Sequence, residues 1–159
     1  MTQATERFAA AAEAAGLTVT IRHFPEGTRT AEDAARAVGC AVAQIVKSLV
    51  FMADGQPVVA LIPGTDRLDP SRLAAALGAR RVERADGDAV REATGYAIGG
   101  VPPFGHRRPL PVLMDPRLLE HAEVWAAAGR PDAVFGVAPG DLQRAAGARL
   151  ADLIAAGRT

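Results

Sequence analysis

Cysteine is nearly absent. Cys40 stands alone, so no internal disulfide can form and no CxxC metal pair exists. In AVGCAV it reads as a small apolar residue and takes no catalytic role. Aromatic residues make up only 4% of the chain, which leaves Ala, Val and Leu to fill the interior. Long apolar runs are also missing: no window approaches the roughly 20 residues needed to span a bilayer. The opening MTQATERFAAAAEAAG lacks a basic segment followed by an apolar one, so the expectation is a cytoplasmic protein with no membrane partner. Net charge is missing too. Eighteen basic residues balance eighteen acidic ones, which excludes a global positive field for broad nucleic-acid binding. DNA is therefore not an expected partner, and any RNA contact must be local. His23, His106 and His121 show no HxxxH or HExxH spacing, and GxGxxG, GxxxxGK[ST] and GxSxG do not occur. Neither a metal nor a cofactor is expected.

What is present is an ordinary globular composition, 49% hydrophobic and 23% charged over 159 residues, which suits one domain covering 1–159. Phe8, Ala11, Ala12 and Ala15 recur at helical spacing and stop at Gly16. The alternating LTVTIRHF predicts a strand closed by Pro25 and Gly27. Thr30 and Asp33 precede AARAVG in near-capping-box spacing, which predicts a second helix. QIVKSLVFMADGQPVVALIPG reads as a hairpin around Asp54 and Gly55. Asp69 and Pro70 open the helix SRLAAALG, ARRVERA follows as a short strand, and Asp86 opens a helix to about Thr94. GYAIGGVPPFGHRRPLPVLMD, with four glycines and four prolines, predicts an irregular loop leading into the strand LPVLM. The tail reads as a hairpin turning at 129–132 and then a C-terminal helix. Helices and strands intermix around at least two hairpins, which predicts an α/β chain of mixed, α+β-like type: a mixed sheet flanked by helices, not a doubly wound parallel one.

Against 17 arginines the chain keeps a single lysine, Lys47, in the apolar strand IVKSLVF. A lysine presents a compact charge that can approach one carbonyl or phosphate oxygen, where arginine presents a wide planar fork. An edge-strand lysine reaching for water fits the same pattern. In GGVPPFG, Gly99 and Gly100 let backbone approach a ligand closely, while Pro102 and Pro103 hold the loop stiff. Such a loop can build an oxyanion or hydroxyl site from main chain alone, or serve as a tight structural crossing. His106 draws interest only by following the loop. Asp141 in APGDL reads as a helix N-cap, with a substrate contact as the second reading. Arg80, Arg81 and Arg84, and the run His106, Arg107, Arg108, are local basic clusters that suit a phosphate contact or a solvated face.

IVKSLVF, then TGYAIGGVPPFGHRRPLPVLMD about fifty residues later, then VAPGDL, together resemble the YbaK/EbsC family, free-standing relatives of the editing domain inserted in bacterial prolyl-tRNA synthetases. The resemblance runs over about residues 18–154. It implies a curled mixed β-sheet flanked by helices, and a deacylase that hydrolyses the ester between a small wrong amino acid and a tRNA such as tRNA-Pro. It also implies an aminoacyl-tRNA 3' end as partner, with an aminoacyl-tRNA synthetase as a further one. By the same resemblance Lys47 and Gly100 are the catalytic positions, and Gly99, Val101, Pro102 and Pro103 line the aminoacyl pocket. Thr28, Ser48, His106 and Asp141 complete the substrate-binding set, although His106 departs from the Gln or Asn of some relatives. The attacking group would be water or a substrate hydroxyl or thiol. A non-catalytic aminoacyl- or nucleotide-binding module and a hydrolase of another small ester remain open.

Overall fold

The computed structural model describes residues 3–25 and 30–155. Helix α1 spans Gln3–Ala14 and buries Phe8 and Ala12 completely. The stretch after it was expected to be a strand from Leu17 onward, but only Ile21–His23 (β1) pairs, with Phe135, Val134 and Ala133 opposite. Leu17 and Val19 instead pack their side chains on the core. Pairing ends at Ile21 although β7 continues through Gly136 to Val137, so the chain before Ile21 leaves the sheet for the core. Helix α2, Ala31–Val38, starts where the Asp33 N–H donates to the Thr30 hydroxyl at 3.0 Å and ends on left-handed Gly39.

Strands β2 (Val46–Ala53) and β3 (Gln56–Pro63) form the expected hairpin. Asp54 and Gly55 both take positive φ, 48° and 82°, as a two-residue turn of this hand requires. Helix α3 (Pro70–Leu77) is capped by Asp69, strand β4 covers Val82–Arg84, and helix α4 (Gly87–Thr94) is capped by Asp86. Strand β5 (Val112–Met114) follows the glycine- and proline-rich loop, then a 3-10 turn at Pro116–Glu120. Strands β6 (Val124–Ala127) and β7 (Ala133–Val137) make the second hairpin. Helix α5 covers Pro139–Ala146 and stops at Gly147, after which β8 (Arg149–Leu150) joins β5 in parallel. The expected C-terminal helix is thus short. Asp141 is not its cap: Ala138 takes that position, Pro139 opens the first turn, and Asp141 lies inside the helix paired with Arg144.

The architecture is the expected mixed α+β arrangement, with one refinement. The strands divide into an antiparallel sheet, β1-β7-β6, and a mixed sheet, β4-β2-β3-β5-β8. The two meet at a parallel bridge between Ile45 and Trp125. Between them Phe8, Phe104 and Phe135 pack with ring centroids 4.6 to 6.1 Å apart, a geometry favoured by aromatic quadrupoles. At the far end of β5, Asp115 is fully buried but well partnered: its carboxylate accepts from the Arg117 N–H at 2.9 Å, the Leu153 N–H at 3.0 Å and the Arg117 guanidinium at 3.2 Å. It ties the C-terminal segment to the sheet.

One feature of β2 places the site. It pairs with β3 along its whole length but with β4 only over Phe51, Met52 and Ala53. The Ile45 bridge to Trp125 occupies its other end. The outer edge at residues 47–49 has no strand partner among the described residues.

Candidate active site

A cleft of about 520 Å³ opens at that bare edge, in the gap between β4 and β6. The directions of the strand explain its chemistry. The Val50 carbonyl accepts from the Ala85 N–H on the outer side, so two residues earlier the Ser48 N–H and C=O also point outward, into the gap. Side chains alternate across β2: Val46 and Val50 join the core shared with α1, and Phe51 and Ala53 join the core under α3. Ser48 therefore lies on the first face and Lys47 on the second. A cleft at the strand's edge is reached from both.

Lys47 is half-buried and its ammonium donates to the Asp66 carbonyl at 3.0 Å. Burial pushes its pKa below the usual lysine range; Arg67 and Arg84 push the same way, and Glu32 opposes them. The Ser48 hydroxyl oxygen is buried and makes no hydrogen bond among the described residues. A buried hydroxyl without a partner costs about 1–3 kcal/mol, so the site holds a donor and acceptor in readiness for a guest.

The loop after α4 forms the opposite wall. Thr94, fully buried, donates its hydroxyl to the Val90 carbonyl at 2.7 Å and accepts from the Tyr96 N–H at 3.0 Å, fixing the exit from the helix. Gly99 lines the cleft at φ 91°, a conformation open to glycine, and a β-carbon there would rest against Pro131 at 3.4 Å. Gly100 differs. A β-carbon there would stand 2.7 Å from the Arg130 Cα and 2.9 Å from the Gly129 carbonyl oxygen, so glycine is required for a backbone crossing. Its N–H donates to the Ala97 carbonyl at 3.0 Å, and it is buried behind the wall. Val101 lines the cleft; Pro102 and Pro103 are buried behind it. His106 turns its Nε2 to the Pro102 carbonyl at 2.8 Å. A carbonyl only accepts, so Nε2 carries the proton. Burial holds the imidazole pKa below its ordinary range, partly offset by this bond.

The structure thus brings Lys47, Ser48, Gly99 and Val101 to one cleft and sets Gly100, Pro102, Pro103 and His106 in its supporting layer. Asp141 is elsewhere, beside Arg144 in a separate depression bordered by Leu17 and Val19. Thr28 lies outside the described residues. Among the lining residues not read as part of a site in sequence are Glu32 on α2, Thr30 at its N-cap, and Trp125 on β6. Trp125 could have been found, since it is the single tryptophan, as Lys47 is the single lysine. Its ring lies 5.6 Å from the Arg22 guanidinium, which also faces Phe24 at 5.3 Å. Glu32 carried no such signal. Val50, Ala85, Val90, Ala126 and Val134 give the remaining cleft surface a short, aliphatic character. Among the described residues no three or more His, Cys, Asp or Glu gather as metal ligands, and no helix is long and apolar enough to cross a membrane.

A small-residue cleft built on a strand edge, with one lysine and a glycine-proline wall, belongs to a known class. The chain is a member of the aminoacyl-tRNA editing domain family, whose model matches residues 25–145. Among its relatives, EbsC of Enterococcus faecalis, a proposed Cys-tRNA(Pro)/Cys-tRNA(Cys) deacylase, is 31% identical over 117 residues, which cover 73% of this chain and 71% of EbsC. The proline--tRNA ligase of Citrifermentans bemidjiense is 39% identical over 89 residues, 56% of this chain but only 16% of that enzyme. A crystal structure of a proposed trans-editing enzyme for prolyl-tRNA synthetase superposes with a TM-score of 0.93 at 42% identity, covering 98% of this chain and 99% of the other.

Proposed function

We propose that the protein is a cytoplasmic trans-editing deacylase that hydrolyses the ester linking a small wrong amino acid to a tRNA, with tRNA-Pro as the first candidate. The observation that carries this reading is the bare edge of β2, where the Ser48 N–H points outward and Lys47 lines the same cleft. Attack on an ester places negative charge on its carbonyl oxygen, and fixed donors aimed at that oxygen lower the barrier. Lys47 and the Ser48 N–H are suited to that task, whereas the Gly100 N–H is already committed to Ala97. The α-ammonium of an aminoacyl group finds a carboxylate in Glu32. No imidazole accompanies the Ser48 hydroxyl to make it a nucleophile, since His106 is held on Pro102. The attacker is then water or a group of the substrate, positioned by the cleft. Water adds to the ester carbon, the 3'-oxygen of the ribose leaves with a proton, and free amino acid and tRNA result.

The volume is within the usual range of about 300–1,000 Å³ for small-molecule sites, and the aliphatic lining favours selection by size. The names of the relatives support a link to tRNA-Pro and to a synthetase that hands over its product. A deacylation assay with alanyl-, cysteinyl-, seryl- and threonyl-tRNA tests the reading. Release of one or more of these at a rate lost in Lys47→Ala supports it. Binding without turnover would make the protein a capture module, and turnover of simple esters alone would make it another hydrolase.

A further inference from the structure

The wall of the cleft is made from two main-chain segments, and each of them runs back to the same helix. Gly129, in the turn between β6 and β7, passes so close to α1 that a β-carbon there would stand 2.7 Å from the Ala4 carbonyl oxygen. About one turn further along α1, the Arg7 guanidinium donates to the Gly95 carbonyl at 2.9 Å, where the chain leaves α4, and lies 4.8 Å from the centre of the Tyr96 ring. Next to Arg7, Phe8 packs on Phe104 with ring centroids 5.1 Å apart. A turn beyond, a β-carbon on Gly105 would meet the Ala11 β-carbon at 2.7 Å. Positions 4, 7, 8 and 11 share one face of a helix. At about 1.5 Å of rise per residue that face is about 10 Å long, and it holds both segments.

Tyr96 is the joint. Its ring is buried, it lies under Arg7, and its Cε1 is 3.2 Å from where a β-carbon on Gly129 would be, so it stands between the helix, the loop and the turn. None of the described lining residues belongs to α1, and the helix precedes the stretch 25–145 that the family model matches. Its hold on the core is separate from its hold on the wall: Phe8 and Ala12 are fully buried, whereas the Arg7 side chain is at the surface. Removing the guanidinium therefore opens no cavity in the core, yet it releases the start of the loop that carries Gly99. Main chain fixes the shape of the wall, through Gly100 against Arg130. What Arg7 can fix is how far that wall stands from β2.

We propose that Arg7 is a positioning residue for substrate selection: held on Gly95 and Tyr96, it sets the distance between the wall and the edge of β2, and so the size of aminoacyl group the cleft admits, without touching the substrate. This role rests on the deacylase reading and adds to it a determinant of specificity outside the cleft. Kinetics of the full chain on alanyl-, cysteinyl-, seryl- and threonyl-tRNA test it with Arg7→Met, which keeps an aliphatic stem over Tyr96 but loses the cation and the donor. The kcat/KM for threonyl-tRNA relative to alanyl-tRNA should rise about threefold, the worth of one exposed cation–π contact, and through KM more than kcat because the reacting groups stay in place. Arg7→Lys, with a cation for the ring and a donor for Gly95, should restore the wild-type ratio. Ala10→Gly, an exposed change in the same helix away from the wall contacts, should lower the melting temperature and leave the ratio alone, which separates a loosened wall from a loosened helix. An unchanged ratio in Arg7→Met, or an equal shift in Ala10→Gly, would overturn the role. Binding of the alanyl and threonyl amides of 3'-amino-3'-deoxyadenosine, which carry no ester, repeats the test without turnover, and the same threefold shift in relative affinity should appear. That shift in a protein that releases amino acid from none of the four tRNAs would sustain the role of Arg7 and count against the deacylase. Turnover with no shift in either ratio would leave the deacylase standing and sink the role.

Discussion

Asp115 and Lys47 are both charged groups removed from water, and the molecule treats them in opposite ways. Asp115, with no exposure, receives two backbone N–H groups and a guanidinium. Lys47, half-buried, has one carbonyl; burial and two nearby cations disfavour its charge, and only Glu32, at a distance, favours it. Folding gains from the first arrangement and bears a cost in the second. A charge left under-partnered at the edge of a cleft is one that a ligand can complete, so the contrast separates a structural centre from a functional one.

The comparison can be broken most severely at Lys47. Lys47→Ala should lower deacylation by at least about a hundredfold, the usual loss when one electrostatic donor is removed, while its melting temperature stays level or rises. Lys47→Arg should not restore the rate, because the planar fork does not fit where a compact charge did. Full turnover in either variant would remove Lys47 from the reaction. The reciprocal change, Asp115→Ala, should cost about 3 kcal/mol in urea unfolding by stranding buried donors, with activity per folded molecule preserved. A stable but inactive Asp115→Ala protein would mean that the two centres exchange roles.

The wall sharpens the comparison on a smaller scale. Gly100→Ala drives a methyl group into the Arg130 backbone, so melting temperature and activity on every ester should fall together. Gly99→Ala adds strain of about 1 kcal/mol at positive φ but faces the cleft, so its losses should grow with the size of the aminoacyl group. Identical profiles for the two variants would dissolve the distinction between wall and support. The smallest effect is expected at His106. Its imidazole has a lower pKa folded than unfolded, so below the folded value the penalty for burying its charge is fully present, and it vanishes once pH exceeds about 6.5. Stability should therefore climb with pH across that window, and His106→Gln should flatten the curve of melting temperature against pH.

Much of the fold was legible because its signals are local. Thr30, Asp69 and Asp86 announce helix starts within three residues, and Asp54 with Gly55 specifies a turn without outside help. What failed depends on distant partners. The strand expected from Leu17 pairs only over Ile21 to His23, because Leu17 and Val19 turn to the core, and the grouping of the strands into two sheets joined at Ile45 and Trp125 depends on pairings far apart in the chain. Asp141 was misread as a cap although Pro139, favoured in a first helical turn, already marked the start one turn earlier. At the site, rarity exposed Lys47. The bare edge beside it is invisible in sequence, since it depends on where β4 stops. Gly100 looked like a contact residue because the backbone it crosses, at Arg130, lies far along the chain.

The pairing of two main-chain segments at the wall bears on how such a cleft can change over evolutionary time. Residues 99–100 and 129–131 touch through backbone and proline, so point substitutions on the surrounding surface leave the shape of the wall untouched. New selectivity would arise more readily from a change in the length of the β6–β7 turn, which moves the wall as a unit. Adding one residue to that turn should reorder preferences among the four esters with Lys47 intact. Surface substitutions at Arg130, whose side chain pairs outward with Asp132, should leave the ranking as it was.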